Sequence, residues 1–218
     1  MEALSLQLLL LLESLMFISV VSLHILHRYS SAIAAYIIQS GIIAVLLILS
    51  AVQHPSPLVF AAVIATIAVK LIVAPYFFFH LVKKHKLTFL VGTYCNLPVT
   101  LVIITALTAL TRIDVFSQLA SLRPLGGTLL LLPLAVILIS IFLIINRKGA
   151  LSQMLGILSL ENAIVSFALF AGLEQNPGLQ LGITVNILVW IVMASSFVSM
   201  IFRHYGTLDV STMKRLTE

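Results

Sequence analysis

The sequence predicts an all-α, polytopic membrane helical bundle, and three observations lead to this fold class. The 218 residues are 61% hydrophobic and only 9% charged, whereas soluble globular domains carry about 25% charged residues. Long apolar runs recur along the whole chain, and a helix that crosses a bilayer needs roughly 20 apolar residues. Strand-length segments of alternating hydrophobicity, which are typical of membrane barrels, do not occur in the sequence.

Seven apolar spans are predicted to be transmembrane helices, separated by short polar breaks such as "HRYSS", "QHPSP" and "KKHK". The first span has no basic segment before it, so it is predicted to be a retained helix and not a signal peptide. Short breaks predict that successive helices pack as antiparallel neighbours. The predicted spans are residues 3–25, 31–51, 58–82, 88–110, 127–145, 150–172 and 179–202.

The distribution of Lys and Arg predicts the orientation, because cytoplasmic segments of membrane proteins are enriched in both. With the N-terminus outside, the outer segments hold only Arg112 and Arg123, and Lys70 lies inside a span. We therefore predict an outer N-terminus and a cytoplasmic C-terminus in a multi-pass protein. The cytoplasmic set is Arg28, Lys83, Lys84, Lys86, Arg147, Lys148, Arg203, Lys214 and Arg215.

Three charged residues are predicted to lie near the middle of the bilayer. Glu13, Lys70 and Glu161 each fall about halfway along an apolar span. A charge at that depth costs roughly 2.5–3.5 kcal/mol on insertion scales, so such groups face the protein interior, pair with each other or line water. Helices 1, 3 and 6 are therefore expected to turn these side chains inward.

Two readings of the three charges stay open. The groups form a static ion pair that locks helices together, or they relay protons or ions. Two acids against one base leave one acid without a full partner, which favours a relay. Pro75 predicts a kink beside Lys70, and His80 is a candidate for passing protons between Lys70 and the cytoplasm.

Other function classes have little support in the sequence. No phosphate-binding glycine loop, Ser-His-Asp arrangement or HExxH pattern occurs, so the chain is not expected to be catalytic alone. The single Cys95, expected within the fourth span, cannot form a thiolate cluster, and neither a metal nor another cofactor is expected. The net charge of +5 reflects the topology signal and calls for no nucleic-acid partner.

Several motifs carry a resemblance to known families. The segment "RKGALSQMLGILSLENA" (147–163) resembles the first loop and second helix of NuoK, a small membrane subunit of NADH-quinone oxidoreductase. Over its full length the chain is similar to the hydrogenase-4 component E (HyfE) family, through "YIIQS" (36–40), "KLIVAP" (70–75), "LENA" (160–163) and "YGTLDV" (205–210).

The resemblance implies three regions. Residues 1–125 would be a four-helix N-terminal extension with an outer-surface loop, 126–204 a NuoK-like three-helix unit, and 205–218 a cytoplasmic tail. Two departures stand out: Asn186 occupies the position matched to a second acid, and Glu13 is additional. We expect that Glu13 compensates for the acid missing at Asn186.

The resemblance also implies a function. The chain would be a non-redox subunit of an energy-converting hydrogenase-type complex in a prokaryotic cytoplasmic membrane, beside antiporter-like subunits. Hydrogenase and iron-sulfur partners would carry the redox chemistry, and the membrane arm would move H⁺ or Na⁺. The alternatives are an assembly subunit with static ion pairs and a component of an ion or bicarbonate transporter.

Overall fold

The structure is a computed structural model that describes residues 2–53, 57–113, 127–171 and 199–203, together with Gly182 and Val185. Within these residues the regular structure is helical throughout, which confirms the all-α class. The helices are α1 (Glu2–Ile25), α2 (Tyr29–Gln53), α3 (Pro57–Ala68), a π-helix (Val69–Val73), α4 (Ala74–Lys84), α5 (Leu97–Leu110), α6 (Gly127–Asn146) and α7 (Ala150–Phe170).

Four helical stretches in the described part of the chain are long and apolar enough to cross a membrane, and two further apolar helices are shorter. These findings suggest a multi-pass protein embedded in a membrane. Most of the predicted span 179–202 and the boundary between the first two predicted regions lie outside the described residues. The long stretches are Leu6–Ile25, Tyr29–Val52, Val59–Lys84 and Ala150–Phe170, and the shorter ones are Leu97–Leu110 and Leu130–Asn146.

The predicted span 88–110 is wrong in its first half, because α5 begins only at Leu97. Asn96 is the N-cap of α5: its side chain accepts a hydrogen bond from the Val99 N–H at 3.1 Å, and Pro98 lies in the first helical turn. An N-cap Asn followed by Pro is a common helix start. Cys95 therefore precedes the helix instead of lying within it. At 14 residues, α5 is about 21 Å long, shorter than a hydrocarbon core of about 30 Å.

Residues 87–96, which we call the strap, connect three parts of the chain at one end of the bundle. The Leu90 N–H donates to the His27 carbonyl at 2.8 Å, and the Tyr94 N–H donates to the Asn146 carbonyl at 2.9 Å. The Asn146 side chain in turn accepts from the Cys95 N–H at 2.8 Å. Apolar strap residues thus satisfy their backbone groups without forming a helix. We call this end of the bundle the strap end.

The strap end gathers most of the described basic residues outside the spans. The strap forms hydrogen bonds with the short connections α1–α2 and α6–α7, so both connections lie at this end of the bundle. The end of α1, the start of α2, the end of α6 and the start of α7 thus lie at the same end of the bundle. Whether this end faces the cytoplasm stays a prediction. The cations on these connections and helix ends are Arg28, Lys83, Lys84, Lys86, Arg147 and Lys148.

The centre of the bundle is formed by α1, α2, α6 and α7. α6 packs closely along α7, α2 packs against α1 and α7, and α1 packs against α6. Gly156 allows the closest approach, since a Cβ at this position would lie 2.8 Å from Ile144 Cγ1. The π-helix and α4 lie on the outer side of α2, so Lys70 enters the bundle from that side.

Candidate functional site: a buried Lys-Asn-Glu cluster

Lys70 lies in an irregular turn of its helix. The Ala74 N–H donates to the Val69 carbonyl, five residues back, which defines a π-helical turn over Val69–Val73. Pro75 follows directly and has no N–H to donate to the carbonyl of Leu71 or Lys70. Single π-helical turns inside α-helices are rare and occur frequently at functional sites. The regular α-helix is thus interrupted beside Lys70 by a widened turn, and the kink predicted at Pro75 stays a prediction.

The Lys70 side chain is buried, with 2% of its surface exposed. Its Nζ donates to Asn162 Oδ1 at 2.5 Å, and Asn162 Nδ2 donates to Ser40 Oγ at 3.2 Å. An ammonium group can only donate, so it fixes which end of the Asn162 amide faces Lys70. These two hydrogen bonds join the π-helix, α7 and α2 in a single buried network.

Glu161 lies beside this network, next to Asn162 in the chain and 7% exposed. Its carboxylate interacts electrostatically with the Lys70 ammonium and with Tyr36. The structure thus brings together the base and the acid that the sequence placed at similar depths. Away from bulk water, the attraction between such charges is several times stronger than at a protein surface.

Glu13 is also fully buried, but it lies at a different level of the bundle. Its Oε1 accepts a hydrogen bond from the Ser166 hydroxyl of α7, while Oε2 has no hydrogen-bond partner among the described residues. Ser166 follows Asn162 by four residues, which is about 6 Å along the helix axis. The Glu13 carboxylate therefore contacts α7 about one turn further from the strap end than Asn162 does.

The remaining predicted site residues are not part of this cluster in the described structure. His80 is exposed, and its ring stacks on Tyr76 with the centroids 6.3 Å apart. It lies ten residues beyond Lys70, about 15 Å nearer the strap end. Asn186 lies outside the described residues, so its proposed relation to Glu13 stays a prediction.

Two serine partners were not predicted from the sequence. Ser166 of α7 donates to Glu13, and Ser140 of α6 shares a hydrogen bond of 3.1 Å with Ser159 of α7. The missed signal is the spacing of small polar residues on α7. Ser152, Ser159, Asn162 and Ser166 recur at intervals of three, four or seven residues, which places them along one helix face.

Within the described part of the chain, no group of three or more His, Cys, Asp or Glu side chains is arranged to hold a metal ion. Comparisons with protein-family models, curated proteins and solved structures found no match to this chain. The similarity to hydrogenase-4 component E therefore rests on the motifs quoted above and stays a prediction.

Proposed function

We propose that this chain is a non-redox membrane subunit that contributes to H⁺ or Na⁺ translocation through Lys70, Asn162 and Glu161. The observation that supports this most is the burial of the Lys70 ammonium in a π-helical turn, bonded to Asn162 and beside Glu161. Ionisable residues inside membrane helices usually mark ion or proton pathways.

The cluster has the chemistry that a charge relay needs. Lys70 can hold or release a proton at Nζ, and the neighbouring Glu161 carboxylate favours the charged ammonium when it is itself ionised. A proton that reaches either group therefore changes the affinity of the other. Moving one elementary charge through a potential of 100 mV is worth about 2.3 kcal/mol, so a change in charge at this depth can be coupled to work elsewhere.

The identity of the partners rests on the sequence resemblance. It implies an energy-converting hydrogenase-type complex in which antiporter-like subunits adjoin this chain and hydrogenase or iron-sulfur subunits carry out the redox reaction. Under this proposal Glu13 and His80 are additional relay candidates. The environment of Glu13 fits that role better, since it is buried against α7 whereas His80 is exposed.

A second candidate is an assembly subunit whose charges are static. The network of Lys70, Asn162 and Ser40 supports this reading, because it joins three helices by hydrogen bonds. A buried charged network contributes little net stability, since the loss of hydration offsets the attraction. The two functions predict different results for variants that remove a side-chain charge but keep the side-chain shape. A relay loses ion transport, whereas a static network loses only assembled complex.

The deciding experiment measures ion transport by the complex that copurifies with this chain, reconstituted into vesicles. Lys70→Met and Glu161→Gln are compared with the wild type while H⁺ gradients, Na⁺ gradients and hydrogen turnover are recorded together. Lys84→Met is the matched control, because Lys84 is exposed at the strap end. For a relay we expect loss of transport in both core variants with turnover retained, and unchanged transport in the control.

Other results support the alternatives. If the core variants reduce only the yield of the assembled complex and transport per complex is unchanged, the charges are structural. If the chain moves ions in vesicles without any copurifying redox subunit, it belongs to an independent transporter.

A further inference from the structure

Gln39 is a buried amide whose hydrogen bonds are unaccounted for. Its side chain has no exposed surface, and neither Nε2 nor Oε1 has a hydrogen-bond partner among the described residues. Buried polar groups in proteins are bonded to protein or to ordered water in the great majority of cases. An amide with both ends unsatisfied in a helix core therefore points to a bound ligand that can both donate and accept.

The position of Gln39 on α2 places it between the two acidic centres. Ala35 faces α1, because its carbonyl accepts from Ser19 Oγ at 2.9 Å. Gln39 follows Ala35 by four residues and therefore lies on the same face, one turn further along. The next residue, Ser40, bonds to Asn162 of α7. Gln39 is thus adjacent to the Lys70 network but turned towards α1.

Glu13 lies at nearly the same height on α1. The contact between Ser19 and Ala35 sets the register of these antiparallel helices, and Glu13 lies six residues from Ser19, about 9 Å along the axis. The same displacement along α2 ends two residues beyond Gln39, so the backbone of Glu13 lies about 3 Å further from the strap end than that of Gln39. The Glu13 side chain extends further in that direction and reaches Ser166. Glu13 Oε2 also lacks a partner among the described residues.

A third unsatisfied group lies one turn nearer the strap end. The buried hydroxyl of Tyr36 faces the Ser40 side chain and lies near Glu161, but it forms no hydrogen bond of normal geometry with a described residue. The three side chains together offer amide N–H groups, an amide oxygen, a phenolic hydroxyl and a carboxylate oxygen. A metal cation would satisfy only the oxygens, whereas water satisfies the donors and the acceptors.

We propose that Gln39, Tyr36 and Glu13 hold a small group of buried water molecules that links Glu13 to the Lys70 network. Gln39 is a positioning residue in this arrangement: its amide holds water against Glu13 Oε2 without itself exchanging charge. The link makes Glu13 a second proton-exchanging group of the site, and this role rests on the proposed function. The presence of the water itself does not.

The test is infrared spectroscopy of the full-length chain in vesicles, with exchange from H₂O into D₂O. The carboxylic C=O band of Glu13 is assigned by its loss in Glu13→Gln. Water beside Oε2 allows the carboxyl proton to exchange, so we expect the band to shift promptly in the wild type. In Gln39→Leu the exchange should slow by about tenfold or more, because an apolar side chain of similar size cannot hold the water.

Gln153→Leu is the matched control. The Gln153 amide is partly buried on α7 and donates to the Arg147 carbonyl at 2.8 Å, away from Glu13, so this variant should exchange at the wild-type rate. If Gln39→Leu does not accumulate in membranes, the exchange rate is measured in Gln39→Met instead, since this variant also lacks the amide.

Two results would overturn the inference: a wild-type exchange rate in the Gln39 variants, or the absence of a protonated Glu13 band throughout the neutral pH range. Failure of the proposed function looks different. In that case, the Gln39-dependent exchange persists while Lys70→Met and Glu161→Gln leave ion transport intact. A slowing of exchange by added Na⁺ in the wild type would show a cation in place of the water and would also overturn the inference.

Discussion

Lys70 Nζ and Asn162 Oδ1 are 2.5 Å apart, and this hydrogen bond joins the π-helical turn to α7. Asn162 is fully buried and also donates to Ser40, so one neutral side chain holds a cation on one side and a hydroxyl on the other. The amide keeps the ammonium hydrogen-bonded, and the neighbouring Glu161 carboxylate interacts electrostatically with the same ammonium. The geometry of the site therefore depends on a residue that does not itself titrate.

Replacing Asn162 with Leu should destabilise the protein more than the loss of an ordinary polar contact. The variant leaves the Lys70 ammonium and the Ser40 hydroxyl without this partner, which we expect to lower the free energy of unfolding by about 3 kcal/mol. Thermal unfolding of the purified chain in detergent measures the effect. Ser159→Ala is the control, because Ser159 lies on the same helix as Asn162 but loses only one neutral hydrogen bond, to Ser140 of α6, which should cost about 1 kcal/mol. Equal losses in the two variants would contradict a special role for Asn162.

Pro75→Ala should impair transport while leaving the chain folded. The new N–H can donate to the Leu71 carbonyl, which allows the π-helical turn to relax to α-helix and rotates Lys70 relative to α4 by up to about 100°. Removing a proline from a helix also favours the helix locally. Vesicle transport should therefore fall towards the level of Lys70→Met without loss of thermal stability.

Pro98→Ala is the control for this variant. Pro98 lies in the first turn of α5, where the missing N–H has no helical partner to lose. Its transport should equal that of the wild type. Full transport in Pro75→Ala would show that the π-helical turn is not needed to present Lys70.

Within the described residues, the sequence was sufficient to predict most of the helices but not the strap. Apolar runs identify segments that avoid water, and residues 88–96 are as apolar as many helices. Their backbone groups bond to the carbonyls of His27 and Asn146 and to the side chain of Asn146, which are distant in the chain. Only the cap at Asn96 was visible locally, and a hydropathy pattern alone does not detect it.

The sequence also identified the charged members of the site better than their connections. A charge in an apolar span is conspicuous, so Glu13, Lys70 and Glu161 could be singled out directly. Which partner each one meets depends on the rotation and height of the helices, and these are set by packing. Asn162 was noticeable only as a polar neighbour of Glu161, and Ser166 resembled any small residue of a membrane helix.

Arg147→Lys should destabilise the strap end even though the charge is kept. The buried Arg147 guanidinium donates to the carbonyls of Leu23 at 2.5 Å, His24 at 3.3 Å and Leu26 at 3.0 Å. These carbonyls belong to the last turn of α1 and the residue after it, where helical donors are missing. An ammonium on a flexible stem cannot reproduce this fan of bonds, so we expect a loss of about 2 kcal/mol.

Hydrogen exchange of the α1 end and of the strap measures this loss locally. Lys148→Arg is the control, since the Lys148 ammonium lies 5.1 Å from the centroid of the Tyr94 ring and arginine can replace it in a cation–π contact. Its exchange pattern should match the wild type. Unchanged protection in Arg147→Lys would mean that the end of α1 is held by other contacts.

A pair of glycine substitutions tests the packing that aligns α7 with the rest of the site. A Cβ at Gly156 would lie 2.8 Å from Ile144 Cγ1 and 3.3 Å from the Ile144 backbone nitrogen. Gly156→Ala must therefore push α6 and α7 apart, and we expect it to lower the free energy of unfolding by about 1–3 kcal/mol. A Cβ at Gly41 of α2 would have nothing within 4 Å, so Gly41→Ala should be neutral or stabilising by up to about 1 kcal/mol.

Thermal unfolding should show a loss of stability in Gly156→Ala and no loss in Gly41→Ala if the α6–α7 contact is as close as the structure shows. Because Asn162 and Ser166 lie further along the helix that Gly156→Ala displaces, this variant should also weaken transport, whereas Gly41→Ala should not. A Gly156→Ala protein with wild-type stability would contradict the close approach of the two helices.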